Sequence, residues 1–172
     1  MKFKKNILPG AMVFLTMASS CITDSEPSGG NIAVGDSLPD FSVTLDNGRT
    51  VSTSSLRGKT AVIIFFNTSC PDCRREFPVI QEVWQQIEND PNITLFAIAR
   101  EEEASSIASY WENYGLTFPW SPQSGREIYS LFAAAGIPRI YIANPQGTVT
   151  TIFTDTDMPS ATTLLKIIKP DI

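Results

Sequence analysis

Ala61-Val62-Ile63-Ile64-Phe65-Phe66-Asn67-Thr68-Ser69-Cys70-Pro71-Asp72-Cys73-Arg74-Arg75-Glu76-Phe77 decides how the chain is read. Six unbroken apolar residues describe a strand covered on both faces. From Cys73 to Asn89, Phe77, Ile80, Val83, Trp84 and Ile87 recur at helical spacing, closed by Asp90-Pro91-Asn92. Two cysteines two residues apart stand where strand becomes helix. There they lie within disulfide reach, and the first meets the unpaired amides and positive end of the helix, which favours a reactive thiolate. Pro71 suits the first helical position, where a missing N–H costs nothing. Pro78 lies deeper and removes the bond to the Arg74 carbonyl, so a kink is expected just beyond the cysteines.

A C-x-x-C is also half of a zinc site or a small structural disulfide. Zinc needs about four ligands, yet the chain has no His and only three Cys, the third being the distant Cys21. No metal is therefore expected. A bridge closing so short a loop removes little entropy from the unfolded chain. The strand-then-helix setting instead points to redox work. Absence of His also removes Ser-His and Cys-His nucleophile pairs and the usual near-neutral proton shuttle. Proton chemistry falls to carboxylates, thiols or water.

The 172 residues suit one domain with a short appendage. Thirteen basic against eighteen acidic residues give a net charge of -5. Lys2, Lys4 and Lys5 open the chain, so the remainder is more acidic still. Such a body disfavours nucleic acid as a partner. Residues 1–20, basic and then apolar, read as a signal peptide too short to span a membrane stably. Ala18-Ser19-Ser20 before Cys21 resembles a bacterial lipobox, with Ala18 where Leu is usual; Cys21 is thus the expected lipidation site, the alternative being an ordinary cleaved signal. Residues 21–33, rich in Ser, Gly, Asp, Glu and Pro, read as a flexible tether carrying the lipidated Cys.

The folded domain is expected over 34–172. Phe41, Val43 and Leu45 alternate with polar residues, and Asp46-Asn47-Gly48 turns the chain back through Thr50 to Ser52 as a hairpin. After the first strand and helix come a second buried strand at Ile93–Ala99 and a helix opened by the solvated triplet Glu101-Glu102-Glu103 and ended by Gly115. A loop from Leu116 to Pro122 and a short helix around Arg126 to Ala134 lead to Gly136-Ile137-Pro138. Strands at Arg139–Ala143 and Thr148–Phe153 flank a tight turn, and Ser160 begins a last helix reaching about Lys169. This order predicts an α/β fold: a thioredoxin-like sandwich, a central mixed sheet flanked by helices, with an N-terminal β-hairpin.

Three stretches resemble the TlpA/ResA-like thioredoxin family of envelope thiol-disulfide oxidoreductases: Val34-Gly35-Asp36-Ser37-Leu38-Pro39-Asp40-Phe41, the run Cys70-Pro71-Asp72-Cys73-Arg74-Arg75-Glu76-Phe77-Pro78, and Gly136-Ile137-Pro138. Cys70, the more N-terminal and exposed thiol, is expected to attack, and Cys73, one turn deeper, to resolve the mixed disulfide. Glu76 lies on about the same helical side, where a carboxyl can take or return the proton of Cys73; the resemblance implies that role. It also implies a cis Pro138, with the Ile137 backbone pairing an extended substrate segment. Asp72 suits a helix start and repels a neighbouring thiolate, which favours a reducing pair. Ser69 stands where the family often has Trp. The pair Cys70 and Cys73 is itself the redox group, with no cofactor implied. Expected partners are protein disulfides and a membrane-borne thiol reductant that recharges the pair.

Two other functions compete. A peroxiredoxin-like peroxidase shares the opening segment and strand order, but Ile63 and Asn67 occupy the places where its motif has Pro and Thr or Ser. A copper-delivery factor uses a wider Cys spacing together with His.

Overall fold

The structure, a computed structural model, describes residues 31–170. The apolar run forms β3 (Thr60–Phe66), with every residue after Thr60 buried. It pairs in parallel with β4 (Ile93–Ala99) from Thr60↔Ile93 to Phe66↔Ala99, and antiparallel with β6 (Arg139–Ala143) from Ala61↔Ala143 to Phe65↔Arg139. With β5 (Trp120–Ser121) and β7 (Val149–Phe153) at the edges, the sheet runs β5-β4-β3-β6-β7. β3 is central, so both of its faces are covered and no polar alternation survives in it.

Side chains of β3 divide the core. Phe66 meets Phe77 of α1 (Pro71–Ile87) at 5.6 Å and Trp111 of α2 (Ala104–Tyr114) at 5.2 Å between ring centroids. Phe65 points the other way, to Tyr129 of the single turn α3 (Glu127–Ser130), Phe132 and Tyr141 at 5.4, 4.9 and 6.0 Å. The hairpin strands β1 (Ser42–Thr44) and β2 (Thr50–Ser52) form a separate two-stranded sheet in register Val43↔Val51. Phe41 just before it packs on Phe132 at 5.5 Å, which places the hairpin on the Phe65 side. The hairpin is stitched to β5: Asp46 N donates to Trp120 O at 2.7 Å, and Ser121 Oγ to Thr44 O at 2.8 Å. α4 (Ala161–Ile168) lies beside α1, capped by Ser160, whose hydroxyl accepts from Thr163 N at 3.2 Å.

Three local expectations change. The acid triplet does not open α2: the helix starts at Ala104 with Glu103 as its cap, and Glu101 takes φ 58°, the one positive φ outside glycine among the described residues. The expected loop at 116–122 contains β5, which is too short to show a periodicity. The short helix expected around Arg126 to Ala134 contracts to α3, because Phe132, Ala133 and Ala134 are drawn into the core. α1 runs through Pro78 as one helix; Pro78 is exposed, so the missing bond faces water.

Residues 31–33, at the end of the stretch read as a tether, are bonded to the domain: Ile32 N donates to Phe132 O at 2.9 Å and Ala134 N to Asn31 Oδ1 at 3.1 Å. The expected signal peptide and Cys21 lie outside the described residues. Among the described residues, no helix is long and apolar enough to cross a membrane.

Trp111 is the joint between helix, sheet and edge. Its ring touches those of Phe66, Phe77, Phe118 and Trp120, and its Nε1 donates to Phe118 O at 2.9 Å. Truncation removes this packing and orphans a buried carbonyl. Trp111→Ala should lower unfolding free energy by about 3–5 kcal/mol, measured by denaturant titration at pH 7.

Candidate active site

β3 ends at Phe66 and the chain turns through Asn67-Thr68-Ser69 into α1. Cys70 is the helix N-cap, with extended φ and ψ of -76° and 121°, and Pro71 and Asp72 occupy the first turn. Cys70 N donates to Asn67 O at 3.1 Å, closing the turn. Both thiols are free: Cys70 is partly exposed and Cys73 fully buried. Helical geometry therefore separates the two sulfurs into an accessible one and a protected one.

The Ile137–Pro138 peptide bond is cis, and both residues are buried. Across the gap, the Cys70 thiol donates to the Ile137 carbonyl at 3.6 Å. The loop bearing that carbonyl is fixed from behind, since Tyr129 Oη donates to Gly136 O at 2.7 Å and Arg139 Nε to Ala135 O at 3.0 Å.

Burial pushes the Cys73 thiol far above the ordinary thiol range. Negative charge on Cys70 acts in the same direction, while the Asn67 backbone amide and the Arg100 guanidinium oppose it. Glu76, one turn further along α1, is only 4% exposed, and its Oε1 has no hydrogen-bond partner among the described residues. Removal from water raises its carboxyl to about 7. An acid of that strength exchanges protons freely near neutral pH. The Asp72 carboxylate stands in the first turn of α1 and pairs with Arg75 on its exposed side, and the largest influence on Cys73 is burial.

Sequence reasoning passed over Glu102, taken there as part of a solvated helix start. Its carboxylate instead accepts both bonds that Thr68 offers, Oε2 from the backbone amide at 2.7 Å and Oε1 from the hydroxyl. Thr68 is 93% buried by its contacts, with 7% exposure. Arg74 Nε completes the turn by donating to Thr68 O at 2.5 Å. No local signal marks such a contact, because 34 residues separate its ends.

Beside the site, Arg74, Phe77, Pro78, Tyr110, Tyr114 and Leu116 line an open groove of about 480 Å³. Tyr110 and Tyr114 stack at 4.3 Å, and the Arg74 guanidinium lies 5.7 Å from the Tyr110 ring. Among the described residues, no group of three or more Cys, Asp or Glu is placed to hold a metal ion.

A mixed five-stranded sheet with a dithiol at the start of α1 and a cis-proline loop opposite defines a thioredoxin-like protein. A thioredoxin-family thiol:disulfide interchange protein from Chlorobium tepidum TLS superposes with a TM-score of 0.68 at 26% identity, over 81% of this chain and 97% of that one. The AhpC/TSA family model matches residues 34–152, and the chain belongs to that family. Among curated proteins it is similar to the thiol-disulfide oxidoreductase ResA of Bacillus subtilis, 25% identical over 73% of this chain and 70% of that protein. ResA of Geobacillus kaustophilus is 29% identical over 73% and 71%.

The raised Glu76 carboxyl has a consequence for stability. The folded state keeps its proton up to about 7, whereas the unfolded chain releases it near 4.5, so between these values the folded state binds more protons. Stability therefore falls as pH rises through that window, by on the order of 3 kcal/mol. Glu76→Gln should abolish this slope in the reduced protein, read by denaturant melts at pH 4.5, 5.5, 6.5 and 7.5, with pH values chosen to span the window.

Proposed function

We propose that this protein is a thiol-disulfide oxidoreductase that reduces protein disulfides in the cell envelope. The observation that carries the proposal is the Cys70 thiol set against the Ile137 carbonyl, with Cys73 buried one turn below it and Glu76 buried one turn below that. The names of the curated relatives agree with this chemistry.

In the reaction, the Cys70 thiolate attacks one sulfur of the substrate disulfide, and the other leaves as a thiolate. The Cys70 sulfur is then joined to substrate, whose extended backbone meets the Ile137 edge. Cys73 gives its proton to the Glu76 carboxylate and attacks Cys70, releasing the second substrate thiolate and closing the Cys70–Cys73 disulfide. Two electrons have passed to the substrate. A dithiol donor at the membrane restores the pair by the reverse exchange. Burial of Cys73 disfavours its thiolate, which supports the reducing direction independently of Asp72.

The envelope location rests on the basic and apolar opening of the chain, and tethering on lipid at Cys21 followed by the polar stretch up to the domain.

Cys73→Ser should accumulate covalent adducts with substrate proteins through Cys70, seen as bands that vanish with reductant, and Cys70→Ser should give none. Equilibration of the pair with glutathione should give a potential well below that of strongly oxidising dithiol proteins. A value near theirs, about -120 mV, would exclude a reductant.

A further inference from the structure

Resting on the dithiol reading above, we infer that Glu102 is a positioning residue for the thiol pair: by clamping Thr68, its carboxylate holds the Asn67–Ser69 turn so that the Asn67 backbone serves both cysteines. The turn itself is short and would otherwise be free to shift. Asn67 O accepts the Cys70 amide at 3.1 Å, and the Asn67 backbone amide is one of the groups that oppose the upward push of burial on the Cys73 thiol. Displacing one residue of this turn therefore displaces partners of both thiols.

Glu102 is built as a strut. Its backbone is pinned to the neighbouring chain, with Glu102 N donating to Gln123 O at 2.7 Å and Gln123 N to Glu102 O at 3.2 Å. Its carboxylate then holds the Thr68 amide and hydroxyl together. A second tie runs beside it, from Asn67 Nδ2 to Arg100 O at 3.0 Å. Glu101 adopts a left-handed φ of 58°, a conformation that side-chain-bearing residues rarely take. That turn of the backbone comes one residue beyond the end of β4 and immediately precedes Glu102. The strain is local to the segment that delivers the clamp, which fits a functional constraint.

Charge and position make opposite predictions. A carboxylate near a thiol, acting only through its charge, disfavours the thiolate, so its removal would make Cys73 more acidic. A carboxylate acting as a clamp keeps the Asn67 amide on Cys73, so its removal makes Cys73 less acidic. The other groups acting on the Cys73 thiol are Cys70, replaced alike in every arm of the alkylation test, and Arg100 at the end of β4, which the Glu102 and Thr68 substitutions leave in place; Glu76 lies one turn further along the same helix.

The test is peptide-resolved alkylation of Cys73 against pH by mass spectrometry, in the full chain carrying Cys70→Ser, with and without Glu102→Ala, Glu102→Gln or Thr68→Val. Peptide resolution keeps Cys21 from contributing. Glu102→Ala should raise the alkylation midpoint so that thiolate at a given pH falls about tenfold, the equivalent of roughly one pH unit. Thr68→Val, which loses the hydroxyl arm alone, should move it in the same direction by less. Glu102→Gln keeps an acceptor for the Thr68 amide and should stay near the parent. With Cys70 restored, stopped-flow reaction with a disulfide peptide should show both phases slowed, resolution more than first attack, and by more than any lost thermal stability accounts for. A downward shift in both Glu102 variants, or no shift in any folded variant, overturns the proposal. Loss of both kinetic phases in proportion to lost thermal stability also overturns it, since a general structural role predicts that pattern. If the parent reacts with no disulfide peptide while the Cys73 shift is present, the redox reading fails and the clamp stands.

Discussion

The register of β3 between β4 and β6 is the constraint on which the site depends. A strand buried on both faces cannot slip by one residue without moving Phe65 and Phe66 into each other's compartments, each already filled by aromatic rings. Its last residue, Phe66, is therefore fixed in position, and the chain leaves the sheet at one place. The turn that follows has only Asn67, Thr68 and Ser69 with which to reach the first residue of the dithiol. Because β4 runs parallel in the same register, its end emerges beside that turn, with Arg100 N bonded to Phe66 O at 2.7 Å. The meeting of Glu102 and Thr68 is a consequence of two parallel strands ending side by side.

Burial then differentiates chemically similar groups. Cys70 and Cys73 are the same residue type three positions apart, and α1 turns one toward the Ile137 loop and the other into the core. Glu76 and Asp72 are likewise both carboxylates on α1. Glu76 lies within the core, with no partner for Oε1 among the described residues, and rises to about 7, whereas Asp72 pairs with Arg75 at the surface. Solvent access and the partners each group finds set its role, more than its chemistry in isolation.

Much of this was legible in the chain. The apolar run and the helical recurrence of Phe77, Ile80, Val83 and Ile87 are local patterns, so their elements appear within a residue or two of the expected bounds. The positions of Cys70, Cys73 and Glu76 along one helix follow from spacing alone. Legibility failed where distant chain decides local form. The two-residue β5 exists because the end of β4 and the hairpin both offer it partners, and α3 shrinks because Phe132 is worth more buried than helical. At Glu101-Glu102-Glu103, three like residues suggest one solvated role, but the fold assigns them a backbone reversal, an internal clamp and a helix cap.

The sequence by itself determined the long central strands and the helix that carries the dithiol, where the thiols sit relative to the helix start, and that neither His nor a further nearby Cys competes for them, because periodicity, spacing and composition are properties of neighbours along the chain. Only the tertiary structure decided that the Ile137 carbonyl faces Cys70, that the Glu76 carboxyl is cut off from water, and that Glu102 grips Thr68 rather than solvating a helix. Each of these joins or shields groups far apart in sequence, and their energies come into being only when packing brings the segments together and expels the water between them.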